Sequence, residues 1–297
     1  MISEEFTEKI ADLVKGRLDN AAVHVHNTTK NNGVHLTGLV IQEKGSNVSP
    51  CIYLESFHSE YESGDKNMET IAEEIICFHR KNKAMHNLDV SMFTDYSHAC
   101  LMLRGRLINT EKNAEFLKDV PHREFLDLSL IYCVEIPCPD NQGVGSVQVR
   151  EEHMKLWGVA EQELYRQVME NMAIDRASII NIAEMLADMR GLPFGKPPEE
   201  GFSMYVLTNQ CKCNGAVQML NKKALEEAAG LFGSDFFILP SSVHETILVS
   251  VEESEDTPGD LARMVHEVNE TVLSEGEFLS SHVYRYCAVT GQIQLVA

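Results

Sequence analysis

Residues Phe236–Ser250, with the sequence FFILPSSVHETILVS, place a short polar turn between two apolar runs. The runs Phe236–Leu239 and Thr246–Val251 are short and rich in β-branched and aromatic side chains, which predicts two neighbouring strands. Helical patterns flank the pair, because Lys222–Leu231 precedes it and Leu261–Leu273 follows it. This succession of strands and helices predicts a mixed α+β unit at the end of the chain.

The second of these helices has clear start signals. Thr257 is a good N-cap, Pro258 suits the first turn, and Asp260 suits the positive end of the helix dipole. Apolar residues at helical spacing then predict one apolar stripe, formed by Leu261, Met264, Val265, Val268 and Val272.

The whole chain predicts three tandem α+β units in which antiparallel hairpins pack against helices. Residues 1–110 form an N-terminal unit, 111–191 a middle strand–hairpin–helix unit, and 199–297 the C-terminal unit. Glycine and proline are dense in Leu192–Pro198, so this segment predicts an exposed connector. In the N-terminal unit, Asn31–Gly33 predicts the turn of a hairpin.

The last two units share a pattern that suggests an internal duplication. Ile131-Tyr132 followed by Gly145–Gln148 and a helix parallels Met204-Tyr205 followed by Gly215–Gln218 and a helix. In this interpretation Ala216–Leu220 is a strand. Hairpins also reuse glycine and β-branched residues, so a chance match stays open.

The charge balance limits the classes of function. The chain has 25 Lys and Arg against 45 Asp and Glu, a formal net charge of −20, which repels phosphate backbones and anionic membranes. We therefore expect no direct nucleic-acid binding and no membrane association, and a protein partner with a basic surface. The absence of a leader pattern and of a run of about 20 apolar residues predicts a cytoplasmic protein.

The turn within the opening stretch holds the best candidates for catalysis. Ser242, His244 and Glu245 supply the residue types of a nucleophile, a base and an orienting carboxylate. Alternation in an extended chain places Ser242 and His244 on one face and Glu245 on the other. The alternative, which we favour, is a structural turn whose serines bond backbone amides.

A second polar set precedes the middle strand and is a candidate binding site. Arg104, Arg106 and His122 suit a carboxylate or phosphate ligand, and Asp127 is a partner for either arginine. A structural ion pair is the alternative that we favour.

Eight cysteines are too sparse for a disulfide scaffold and are expected to be thiols. Cys211 and Cys213, with Cys133 and Cys138 at the parallel position, are weak candidates for a four-thiolate zinc site. Cys-x-Cys lacks the usual zinc-knuckle spacing, and no complete phosphate-binding loop occurs. We expect neither a metal nor a cofactor.

Several separated segments resemble an uncharacterised family of gut-dwelling Gram-positive bacteria, a domain of unknown function. These segments are Lys30–Gly33 with Gly38, Ser49–Leu54, Leu107–Asn109 with Asn113, Pro121–Leu128, Met204–Leu220, Phe236–Ser250 and Leu279–Tyr284. The resemblance implies an intracellular bacterial protein that is often near mobile genetic elements, and it supplies no catalytic residue, cofactor or substrate.

The leading hypothesis is a non-enzymatic protein-binding or regulatory module, because no catalytic motif is complete and the surface is acidic. Two alternatives stay open. One is a hydrolase-like enzyme with a Ser242/His244 site, and the other is an acidic, nucleic-acid-mimicking inhibitor of a defence nuclease.

Overall fold

The computed structural model describes residues 2–46, 49–81, 91–137, 144–184 and 204–297. It confirms an α+β protein with antiparallel sheets. Contacts divide the chain into two compact units, Met1–Met92 with Ile136–Gly145, and Phe93–Glu135 with Ser146–Ala297. The connector predicted at Leu192–Pro198 lies outside the described residues, so the three-unit boundaries stay a prediction.

The smaller unit packs helices against a three-stranded sheet. Its strands β1, β2 and β3 pair in that order, and its core includes Phe6, Ile10, Leu39, Ile71 and Ile75. The predicted hairpin is confirmed, since β1 pairs with β2 across Asn31–Gly33. The elements are α1 (Glu4–Gly16), β1 (Ala21–Thr29), β2 (His35–Glu43), β3 (Cys51–Tyr53), α2 (Glu55–Glu62) and α3 (Met68–Lys81).

The larger unit contains a six-stranded and a four-stranded sheet. The first has the order β13-β12-β10-β11-β9-β8, and the second has the order β4-β6-β5 with β7 also on β6. From residue 91 onward the α-helices whose bounds the structure describes are α4 (Ser91–Thr94), α5 (Tyr96–Ala99), α6 (Ala114–Leu117), α7 (Glu151–Trp157), α8 (Glu161–Ile174), α9 (Lys222–Phe232) and α10 (Pro258–Thr271). The strands are β4 (Leu103–Asn109), β5 (His122–Phe125), β6 (Leu128–Pro137), β7 (Val144–Gln148), β8 (Ala177–Asn181), β9 (Met204–Asn209), β10 (Phe236–Pro240), β11 (Thr246–Ser250), β12 (Tyr284–Cys287) and β13 (Gln292–Leu295).

The apolar run of β10 is explained by burial of the strand on both faces of the sheet. Phe236 and Ile238 join the main hydrophobic cluster, whereas Phe237 and Leu239 pack in a second cluster with residues of α10. Alternate side chains of a strand point to opposite faces, so a strand buried on both faces needs apolar residues throughout. Full burial of such a side chain contributes about 1.5–3 kcal/mol.

Helix α10 begins as the sequence predicts, but only part of its stripe is buried. Thr257 and Asp260 form a reciprocal capping box, with Thr257 Oγ1 accepting from Asp260 N at 3.2 Å. Leu261 and Val265 are buried in the second cluster. The remaining apolar residues of the predicted stripe are exposed, so the stripe is wider than the surface that the sheet covers.

The strand predicted at Ala216–Leu220 is wrong, because Gly215–Leu220 forms a 3-10 helix. Asn214 has a positive φ of 53° and turns the chain, and Ala216 N then donates to Val243 O at 3.2 Å. The segment still buries its apolar side chains. The two segments compared for a duplication therefore differ in secondary structure, since the matching Gly145–Gln148 lies in β7.

Candidate functional site

A carboxylate in the turn between β5 and β6 is the centre of a polar cluster. Asp127 Oδ1 accepts a hydrogen bond from the Tyr284 hydroxyl at 2.6 Å. Its Oδ2 accepts from Ser280 Oγ at 2.7 Å and lies 2.9 Å from His282 Nδ1. The preceding Leu126 has a positive φ of 57°, which makes the turn tight. We call Asp127, Ser280, His282 and Tyr284 the Asp127 cluster.

Burial and charge determine the protonation of the phenol in this cluster. Tyr284 is fully buried, and burial followed by the nearby Asp127 charge raises its pKa well above the usual range. Tyr284 is therefore a neutral donor. The hydroxyl groups of Tyr284 and Ser280 donate to the Asp127 carboxylate, and His282 Nδ1 lies beside it, so hydrogen bonds stabilise the carboxylate.

The cluster contains a carboxylate–imidazole pair but no activated nucleophile. Ser280 Oγ donates to Asp127, accepts from His282 N at 3.0 Å and lies 3.3 Å from His282 Nδ1, so it is on the Nδ1 side of the ring. A catalytic serine has to face the other nitrogen, Nε2. His282 is about half exposed, with no partner for Nε2 in the part of the chain that the structure describes. The geometry thus favours a structural role for the Asp127 cluster.

The segment Leu279–Tyr284, which contains three residues of the Asp127 cluster, is also hydrogen-bonded to β4 and α10. Asn109 at the end of β4 donates its amide to Leu279 O at 3.0 Å, and Asn269 of α10 donates to Ser280 O at 3.1 Å. Helix α10 is thereby held through hydrogen bonds of the same short segment that Asp127 binds.

The residues of the Asp127 cluster carry one signal in the sequence, although only Asp127 was among the predicted site residues. Ser280, His282 and Tyr284 are spaced by two, which puts their side chains on one side of an extended segment. They also lie in Leu279–Tyr284, and Asp127 lies in Pro121–Leu128, both among the segments that carry the family resemblance. Their contact across the chain was not predictable from spacing.

Each of the four residues predicted as a binding site contacts a partner outside that set. Arg104 pairs with Asp175 at 2.7 Å and Arg106 with Glu135 at 3.3 Å. His122 Nδ1 lies 3.0 Å from Val120 O, and Asp127 bonds the cluster above. In the described ranges no hydrogen bond or ion pair joins any two of the four. The expected pairing of Asp127 with an arginine is replaced by its contact with His282.

The candidate catalytic turn has the contacts of a structural turn. Ser242 Oγ accepts from His244 N at 3.0 Å, so its hydroxyl is engaged by the backbone. His244 Nδ1 accepts from Asn214 N at 3.0 Å, and its Nε2 lies 3.5 Å from Glu277 Oε1. The carboxylate beside the imidazole is therefore Glu277, and Glu245 contributes its backbone carbonyl to Ser242 N at 3.2 Å. These contacts favour the structural interpretation.

The candidate zinc cysteines are found in different environments. Cys133 is buried in β6, whereas Cys211 and Cys213 are exposed in the loop after β9. Cys138 lies outside the described residues. Within the ranges that the structure describes, no group of three or more His, Cys, Asp or Glu has the arrangement of a metal site.

We expect the thiols to differ widely in reactivity. Hydrogen bonds from the side chain and backbone of Thr290 lower the pKa of Cys287, whereas burial raises the pKa of Cys133 to about 12. The thiolate is the reactive form, so at neutral pH iodoacetamide should alkylate Cys287 rapidly and Cys133 only after unfolding. A time course read by peptide mass spectrometry measures this order. Equal rates in the native protein would contradict it.

Helix α10 presents an exposed apolar row on the surface of the larger unit. Met264 is 49% exposed, Val268 is 46% exposed and Val272, just beyond the helix, is 79% exposed. Their spacing of four residues aligns them along one side of the helix. We call these three residues the α10 apolar row.

Exposed acidic residues lie on α10 and in the loop before it. Glu267 and Glu270 are exposed on the same helix, and the exposed Arg263 is paired with Asp260 at 2.7 Å. The loop before the helix adds exposed Glu252, Glu255 and Asp256. The row thus lies on a helix that also carries exposed carboxylates.

None of the helices among the described residues has the length and apolar composition of a transmembrane span. The fold and these surfaces define an α+β protein in which a partly buried polar cluster binds a segment that is hydrogen-bonded to α10, and the exposed side of α10 carries apolar and acidic residues. The chain belongs to the family of unknown function DUF5688, whose model matches residues 3–288. No curated protein and no solved structure matches it.

Proposed function

We propose that this chain is a non-enzymatic protein-binding or regulatory module that docks a partner on the α10 apolar row. The observation that carries the proposal is the row itself, three partly exposed apolar side chains aligned along α10 and its C-cap residue. Single exposed apolar residues are ordinary on protein surfaces, whereas contiguous apolar patches mark interaction sites.

The energetics are adequate for a specific but modest interaction. Burying a Met or Val side chain contributes about 1.5–3 kcal/mol when it is complete, and less for side chains that are already half covered. The Asp127 cluster adds to affinity indirectly. A helix already fixed by hydrogen bonds loses little conformational entropy when a partner binds.

The chemistry of the surface defines the partner as an amphipathic helix with basic edges. Its apolar side would cover the row, and its Lys and Arg would meet Glu267, which is three residues from Met264 on the helix. The net charge of −20 steers such a partner and repels nucleic acid. An inhibitor that mimics nucleic acid needs spaced carboxylates but has no use for an apolar row, so the row favours a protein-binding module.

The cellular compartment and the genetic context of this function are also part of the proposal. The acidic composition suits a module that acts in the cytoplasm of a bacterium, and the family resemblance suggests a link to mobile genetic elements.

A peptide probe tests the docking surface. We expect a helical peptide of Leu and Lys, about 18 residues long, to bind the protein with a micromolar Kd in fluorescence anisotropy, and a scrambled peptide of equal charge to bind weakly. The double variant Met264→Asp, Val268→Asp should weaken binding about tenfold or more. The matched control is Leu231→Asp, since Leu231 is 53% exposed on α9.

Equal binding by the wild type and the row variant would contradict the proposal. So would equal binding of the helical and scrambled peptides, because charge alone would then explain the affinity. Sedimentation velocity is a further check. A dimer that the row variant converts to a monomer would show that a second copy covers the row and would contradict a distinct partner.

A further inference from the structure

The loop after β9 presents two thiols separated by one residue. Cys211 and Cys213 are both exposed, and neither forms a disulfide. Lys212 between them has a positive φ of 52°, so the chain turns back at this residue. A turn of this kind places residues on its two sides close together, in contrast to an extended chain.

The side chain of Asn209 holds this turn. Asn209 Oδ1 accepts from Cys213 N at 3.1 Å and from the Cys211 thiol at 3.3 Å, and Asn209 Nδ2 donates to Cys213 O at 2.7 Å. The backbone adds a bond from Lys212 N to Asn209 O at 3.2 Å. One amide therefore fixes both cysteines, and their approach costs little further conformational entropy.

The two sulfurs also differ in their surroundings. Asn214 Nδ2 donates to Cys213 Sγ at 3.3 Å. Partial burial, followed by the neighbouring Cys211 thiol, raises the pKa of Cys213. Cys213 thus keeps its proton longer, which suits the residue that reacts second.

We propose that Cys211 and Cys213 form a redox-active dithiol that closes reversibly to a disulfide within the loop. Its substrate is a disulfide of a small molecule or of another protein. The docking surface on α10 plays no part in this inference, so the two are independent.

The exchange proceeds in two balanced steps. The Cys211 thiolate attacks one sulfur of the substrate disulfide, forms a mixed disulfide and releases the first substrate thiolate. The Cys213 thiolate then attacks the Cys211 sulfur and releases the second. Two electrons pass from the cysteines to the substrate, and the two thiol protons go to the released thiolates.

Glutathione titration tests the proposal. Reduced protein is equilibrated anaerobically with mixtures of oxidised and reduced glutathione, quenched with acid and alkylated with N-ethylmaleimide. We expect the peptide that contains Cys211 and Cys213 to lose both alkylation sites together, in a single two-electron transition. The oxidised peptide should carry no N-ethylmaleimide, and its mass should be two hydrogens below that of the unalkylated reduced peptide.

Single variants distinguish a dithiol from two independent thiols. In Cys211→Ser or Cys213→Ser the remaining cysteine should accumulate a glutathione adduct, whereas the control Cys287→Ser should leave the transition unchanged. Asn209→Ser should shift the midpoint ratio by about threefold, because the turn is then less ordered. Separate glutathione adducts on the two wild-type cysteines, or persistent free thiols while Cys287 is oxidised, would overturn the proposal.

Discussion

Asp127→Ala is expected to lower the free energy of unfolding of the larger unit by about 3 kcal/mol, since buried donors lose their acceptor. Tyr284 is fully buried and Ser280 is 1% exposed, so their hydroxyl groups have little access to water as a replacement partner. A buried hydroxyl left without a partner costs about 1–3 kcal/mol. The only tryptophan, Trp157, lies in the larger unit, so its fluorescence during urea unfolding reports the change.

Two control variants show whether the effect comes from the buried donors. Tyr284→Phe should cost about 1 kcal/mol. Combined with Asp127→Ala it should cost less than the sum, because both changes remove the same hydrogen bond. His282→Ala should cost under about 1 kcal/mol, since an exposed pair contributes little. If Asp127→Ala lowered the free energy of unfolding by less than about 1 kcal/mol, the Asp127 cluster would not be a stabilising element of the larger unit.

Gly215→Ala is expected to be comparably destabilising, by about 3 kcal/mol, because the added methyl group has no space. Its carbon would lie 2.7 Å from Asn209 N and 2.6 Å from His244 O, and would also contact Thr208 Oγ1. Two of these atoms belong to the backbone of different segments and cannot move independently. Urea unfolding followed by Trp157 fluorescence measures the loss.

Gly230→Ala is the matched control. An added methyl group there meets nothing within 4 Å, and Gly230 lies in α9. Alanine is the better helix former by about 1 kcal/mol, so this variant should be as stable as the wild type or more stable. If Gly215→Ala retained wild-type stability, the close approach of the 3-10 helix to β9 would be contradicted.

The predictions from sequence that the structure confirms depend on local interactions. The hairpin at Asn31–Gly33 and the capping box of Thr257 and Asp260 follow from side chains a few residues apart. The strands β10 and β11 follow from a short apolar run on either side of a turn. In each case the residues that determine the structure are neighbours in the sequence.

The Asp127 cluster depends on distant residues, which explains why the sequence did not reveal it. The side chains of Ser280 and Tyr284 are 153 and 157 residues from Asp127 along the chain. A polar residue has many possible partners in the sequence, and only the tertiary fold determines which of them it contacts. The sequence supported an ion pair of Asp127 with an arginine equally well, although both arginines bind other carboxylates.

The sequence by itself determined the α+β class, the strand pair in Phe236–Ser250 and the start of α10, because turns, caps and alternation act over a few residues. Only the tertiary structure decided that Gly215–Leu220 is helical and that Met264, Val268 and Val272 stay exposed. The reason is physical. An apolar pattern indicates which residues favour burial, whereas the packing of elements distant in sequence determines which of those residues are buried.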